Sequence, residues 1–152
     1  MKKTYYIILA VLVIAGIGAY IGITKFRELT PDVVNKKPDA ALKVTELIAA
    51  FEKDTASASE MYIDKIVEIT GNVKTVDTSG AIVLGEEGSP SEVVVGLDRR
   101  HMKDFEKVQP GKEAVIQGVC SGYTAASTDP DDMLASLGTT VQFRSAGVKK
   151  KN

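Results

Sequence analysis

Nineteen consecutive residues without a charge, Tyr5 to Ile23, constrain this chain more than any other feature. As an α-helix, at about 1.5 Å per residue, such a run covers about 28 Å, close to the hydrocarbon thickness of a bilayer. Tyr5, Tyr6 and Tyr20 lie near its ends, where amphipathic rings suit the headgroup region. The run predicts an N-terminal transmembrane helix over residues 1–24, kept as a signal anchor. Lys2-Lys3 before an apolar stretch also opens cleaved signal peptides. Here the run exceeds a usual h-region and no A-x-A site follows, Gly16-Ile17-Gly18 being a poor substitute. No cysteine lies near it, which excludes a lipid-modified cysteine. Lys2, Lys3 and the amino terminus slightly outweigh Lys25 and Arg27, so the N-terminus is expected in the cytoplasm. The domain then faces the outer side, periplasmic or extracellular, in the cell envelope. Gly18 and Gly22 form a G-x-x-x-G spacing able to bring two such helices together.

What remains of the 152 residues is enough for one ordinary domain. Residues 25–43, with Pro31, Pro38 and Lys36-Lys37, read as a linker. The domain is expected over 44–148, with a basic tail over 149–152. Cys120 is the only cysteine, so neither an internal disulfide nor a cysteine-based zinc site can form. The formal charge of −1 conceals an asymmetry, since Pro31 to Val148 carries 12 basic and 19 acidic residues, a net of −7. A surface of that sign repels phosphate backbones unless a local cationic patch overrides it.

Within the domain, Leu47, Ile48 and Phe51 recur at helical spacing behind Thr45, which predicts a helix from Glu46 to Met61 capped by Thr45. From Ile63 the period changes to two, with Val67, Ile69, Gly71 and Val73 on one face. Gly71 marks a bulge or bend in this long strand. After a turn at Thr78-Ser79-Gly80, strands are predicted over Ala81–Leu84 and Glu92–Leu97, joined by the loop 85–90. Asp98 caps a short helix, Arg99 to Lys107, with Met102, Phe105 and Val108 on its apolar side. Glu113–Ser121 alternates again, with Ala114, Ile116, Gly118 and Cys120 inward, and Thr139–Ser145 places Val141 and Phe143 inward. The expected fold class is mainly β with helices: a five-stranded OB-fold Greek-key barrel, preceded by an α-helix and the transmembrane helix. Other five-stranded barrels share this element order.

Three stretches carry a resemblance: Thr45–Asp54, Tyr62–Val73, and Pro110–Tyr123 with its P-G-x-x-x-x-I-x-G-x-C-x-G-Y pattern. Over about Val44 to Tyr123 the chain resembles the tRNA_anti-like family of OB-fold proteins, short bacterial chains with an N-terminal anchor or signal. The resemblance implies the OB barrel and says little about a ligand. It also implies further cysteines on neighbouring strands and a short final loop. This chain has neither, since Val95 and the last strand offer no cysteine and Thr124 to Gly138 intervenes before that strand.

Candidate chemistry is sparse. His101, the only histidine, stands among Arg99, Arg100 and Lys103, as on the exposed side of a short helix. Cys120 falls on an apolar strand face and is expected as a buried thiol, not a nucleophile. Asp129, Asp131 and Asp132 lack EF-hand spacing, since Met133 and Leu134 stand in ligand and glycine positions. They fit a solvated loop, with a carboxylate capping a short helix over 133–137. The cationic run Arg99-Arg100-His101-Met102-Lys103 is interleaved with acids, tryptophan is absent, and Phe51, Phe105 and Phe143 look like core. Stacking platforms for a single strand are few, with only Tyr62 and Tyr123 to serve, and nucleic acid is not the expected partner. The sequence therefore predicts a non-enzymatic binding module with no cofactor and no metal. Its partner is a protein or small ligand, met on a barrel face through Lys74, Val94, Gln117 and Arg144 with Tyr123 beside them, or on the loop 124–138. Single-stranded nucleic acid or tRNA binding is the alternative.

Overall fold

The computed structural model describes Val13, Gly16, Tyr20, residues 31–126 and residues 137–149. The chain divides into two compact units, Met1–Asp32 and Val33–Asn152. In the first, Val13, Gly16 and Tyr20 are helical and exposed. The rest of the hydrophobic run, Gly18 and Gly22, the aspartates of the long loop and most of the short helix expected after them lie outside the described residues. Among the described residues no helix is long and apolar enough to cross a membrane.

The second unit is built by alternation. Strands β1 (Ala40–Lys43), β2 (Ile66–Val76), β3 (Ala81–Leu84), β4 (Glu92–Leu97), β5 (Glu113–Thr124) and β6 (Thr140–Lys149) form one sheet ordered β1-β2-β3-β4-β6-β5. A further pairing of β2 with β5 closes the last five into a ring. Every second residue points to the inside, where Val67, Ile69, Ile82, Leu84, Val93, Val95, Ile116, Cys120 and Val141 are fully buried. β4 and β6 run parallel and the other ring pairs antiparallel. That ring order, with a helix between β4 and β5, is the five-stranded Greek-key OB barrel.

β2 belongs to both halves of the barrel. Ile66–Asn72 pair with β5 and Val73–Val76 with β3, the register shifting between Val73 and Thr75. The irregularity thus falls just after Gly71, whose own role is clearance: a Cβ there would lie 2.6 Å from Val44 Cγ2.

Ahead of the ring, α1 (Val44–Lys53) buries Val44, Leu47, Ile48 and Phe51 over one end of the core. Lys43, not Thr45, precedes it, and its N–H donates to the Glu46 carboxylate at 2.8 Å. The single helix expected to Met61 breaks in two. Asp54 leaves the helical conformation, and its Oδ1 accepts from the N–H groups of Ala56 and Ser57, both at 3.1 Å, starting α2 (Thr55–Tyr62). A short polar side chain that captures local backbone donors competes with helix continuation.

Three further expectations are corrected. Part of the stretch expected as linker, 25–43, is folded: Val33 and Val34 are buried, and β1 adds to β2 in parallel, Ala40 opposite Val67. β6 runs past Ser145, which adopts φ 53°, to Lys149, a residue expected in the tail. The helix at Arg99–Lys107 is a 3-10 helix, and its most buried residue is Asp104, while Met102 and Phe105 are half-buried. Three residues per turn align His101, Asp104 and Lys107. Asp104 Oδ2 accepts from the Val148 N–H at 3.0 Å and lies 3.3 Å from His101 Nδ1, and Lys107 Nζ pairs with Oδ1. A buried carboxylate with three partners outweighs the apolar stripe as the anchor of this helix.

Candidate binding face of the barrel

On the outside of the barrel, strand register assembles a row across the sheet. Thr75 faces Val83, Val83 faces Val94, Val94 faces Gln142, and Gln142 faces Gly122. The inward neighbours of these residues fill the core, so the row projects outward; Val83 and Val94 are half-buried, and Thr75 and Gln142 exposed. No member carries a charge, in a unit whose surface is predominantly acidic. At one end of the row Lys74 Nζ donates to Ser89 O at 2.9 Å and to Glu92 Oε2 at 3.1 Å, tying β2 to the loop before β4. A cleft of about 520 Å³ opens there, lined by Asn72, Lys74, Thr75, Gly85 and Pro110 among others.

Of the residues expected on the face, the structure brings Lys74 and Val94 together around this row. Arg144 is exposed on β6, where Nη2 meets Asp64 Oδ1 at 3.1 Å; with both side chains largely in solvent, that pair contributes little. Tyr123 sits elsewhere. A register shift between Cys120 and Gly122 leaves Ser121 as an extra residue, which returns Tyr123 to the inward parity opposite Val141. Its ring packs on Phe51 at 4.8 Å between centroids and closes the barrel end while remaining 37% exposed.

Gln117 is a correction. Parity does point it out of the barrel, yet it is fully buried, because residues 33–36 cross over it. Nε2 donates to Val33 O at 2.6 Å and Lys36 O at 2.7 Å, and Oε1 accepts from Lys149 Nζ at 3.0 Å. Gly147 provides room beside it, since a Cβ there would meet Val34 Cγ2 at 2.8 Å. Gln142, central to the row, was not among the expected residues. Strand parity marks it as outward between Val141 and Phe143, and the β4–β6 parallel register places it beside Val94.

His101 is not the exposed histidine expected: it is half-buried, with its ring over Gly147 and Nδ1 at Asp104. Asp98 caps the 3-10 helix and is held by Arg100 through its side chain and N–H, at 2.8 and 2.9 Å. The hydrogen bond from the Arg100 side chain lowers its pKa to about 2. Cys120 is buried as expected, and burial pushes its thiol up to about 11. Because the folded state holds this proton more tightly than an unfolded thiol near 9.0, the resulting stability is complete below pH 9. It is lost as the pH rises through 11. At pH 8 the folded protein should react with a thiol reagent on the order of 100-fold more slowly than the urea-unfolded chain. Equal rates would place the thiol at the surface. Among the described residues, no three His, Cys, Asp or Glu side chains are grouped to hold a metal.

The closed five-stranded ring, with β4 and β6 parallel, defines an OB-type barrel protein. The chain belongs to the tRNA_anti-like family, whose model matches residues 1–130. Among solved structures, a "putative nucleic acid-binding lipoprotein" from Klebsiella pneumoniae is similar at 16% identity and a TM-score of 0.52. The match covers 72% of this chain and 91% of that one. An Entamoeba histolytica asparaginyl-tRNA synthetase matches at 15% identity and a TM-score of 0.34, over 59% of this chain and 21% of that one. No curated protein matches the chain.

Proposed function

We propose that this chain is a membrane-anchored, non-enzymatic OB-fold binding module of the cell envelope, which engages a protein or small ligand through the outer row of its barrel. The observation that carries this reading is the row itself. Thr75, Val83, Val94 and Gln142 run in register across four strands, uncharged on an acidic unit. Apolar and amide groups flanked by a Lys74–Glu92 pair offer contact area with a few oriented polar groups, the usual composition of a binding surface. Arg144 bounds the surface on the β6 side, while Tyr123 lies apart from it at the barrel end. The uncharged run from Tyr5 to Ile23 is the anchor, with the N-terminus cytoplasmic and the barrel outside.

A photo-crosslinking residue at position 94 or 142 of the full chain, in its own membrane, should capture one discrete species, and the same residue at Glu60 should not. Indistinguishable products from the three positions would remove the row as the site. Protease added to intact cells should remove the barrel, and full protection would reverse the orientation. A second reading, single-stranded nucleic acid, is favoured by the description of the Klebsiella pneumoniae neighbour. It predicts salt-dependent retention of an oligonucleotide by the full chain. The net charge of −7 over residues 31–148 and a row without an aromatic ring count against it.

A further inference from the structure

The side of the barrel around β5 and the end of β6 is rich in lysine within an acidic unit. Residues 31–148 sum to −7, yet lysines gather where the chain enters the barrel. The amide of Gln117 holds the carbonyl of Lys36 with Nε2 and the ammonium of Lys149 with Oε1, so the two lysines are neighbours. Lys149 in turn lies with Lys107 and Lys112 around a cleft of about 510 Å³ floored by Val108, Ala114 and Val148. Lys36, Lys107 and Lys112 are exposed, as is Lys37, next in the chain. Five lysines thus gather on this side, with Asp104 on Lys107, Glu68 on Lys149, Glu113 in the cleft lining, and Asp32, Asp39 and Glu106 in the same segments. Lys150 and Lys151 follow in the sequence.

We propose that this lysine face docks on an anionic phospholipid surface. The proposal rests on the anchor reading above, and chain length links the two. Residues 24–32, nine in number, separate the hydrophobic run from Val33, the first residue held by Gln117. Ten Cα–Cα steps of at most about 3.6 Å each limit the chain between Ile23 and Val33 to about 36 Å. The lysine face borders Val33, the point at which the tether joins the barrel. Lipid phosphates fit better than a nucleic-acid strand, because no aromatic ring lines the cleft and stacking is what single-strand sites add to charge. A lysine near an anionic surface contributes about 1 kcal/mol, and its aliphatic stem can lie along the apolar floor with the ammonium outward.

The test uses the full chain reconstituted in phosphatidylcholine vesicles, with or without roughly one-third phosphatidylglycerol. Amine acylation is read at each lysine by mass spectrometry. Labelling of Lys36, Lys37 and Lys112 should fall about tenfold in the anionic vesicles relative to Lys53 and Lys103, and recover at high salt. A K36Q/K112Q variant should lose the protection of Lys37. Retention in neutral vesicles after carbonate washing reports the anchor separately. If the chain is retained but labelling is equal in both lipids, the docking is overturned and the anchor stands. Loss of retention in both lipids overturns the anchor and the docking with it. Protection by a single-stranded oligonucleotide in neutral vesicles, without any effect of phosphatidylglycerol, would assign the face to nucleic acid and also overturn the proposal.

Discussion

Phe51→Ala is expected to cost about 3–5 kcal/mol of folding stability, the range for removing a fully buried aromatic ring. Phe51 is completely inaccessible, on the buried stripe of α1 with Leu47, and serves two layers at once. Its ring stands 6.3 Å from that of Tyr62 on α2 and 4.8 Å from that of Tyr123 at the end of β5. Removing it therefore opens a cavity where helices and barrel meet, and neither tyrosine can fill that space without giving up its own packing. Tyr123→Ala, at a ring 37% exposed, should cost only about 1–2 kcal/mol. The chain has no tryptophan, so both effects are read from tyrosine fluorescence across a urea titration. If the Tyr123 variant lost as much as the Phe51 variant, Tyr123 and not Phe51 would be the keystone of the barrel end.

The barrel strands are legible because alternation reports which face is buried, and Val67, Ile69, Val93, Val95, Val141 and Phe143 all point where their parity says. β1 is not legible: four residues, Ala40 to Lys43, carry too short a pattern, and their strand exists only because β2 has a free edge beside them. Helical periodicity runs through Asp54, yet an aspartate followed by Thr55 and Ser57 is a cap signal in its own right.

The candidate site divides the same way. Val94 could be placed from strand parity alone. Gln142 is outward by the same parity, but its neighbourhood depends on a parallel partner some fifty residues away in sequence. Gln117 shows the opposite failure: parity was right about direction, but direction and exposure part company when a distant segment folds over the strand. Gln117 shares its outward parity with Val115 and Val119, and Gly118 follows it at once. A Cβ at Gly118 would lie 2.7 Å from that of Ala146, so β5 and β6 approach closely at that point.

Asp104→Ala is expected to cost about 2–4 kcal/mol, more than any other substitution of a charged residue in the barrel. The carboxylate is 4% exposed and lies inside the 3-10 helix, a place the sequence reserves for Met102 and Phe105. Alanine would leave the Val148 N–H without this acceptor and withdraw a partner of His101, both next to Gly147, where no side chain can move in to replace the oxygen. Lys107 is different, because its side chain is 58% exposed and can return to water, so Lys107→Ala should cost below about 1 kcal/mol. Asp104→Asn separates the two contributions. The amide oxygen can still accept from Val148, while the negative charge facing His101 and Lys107 is gone, so a loss of about 1–2 kcal/mol is expected, intermediate between the other two variants. Chemical denaturation of the three variants at pH 7 measures the order directly. Asparagine as damaging as alanine would mean that the charge, not the acceptor for Val148, holds the 3-10 helix to β6.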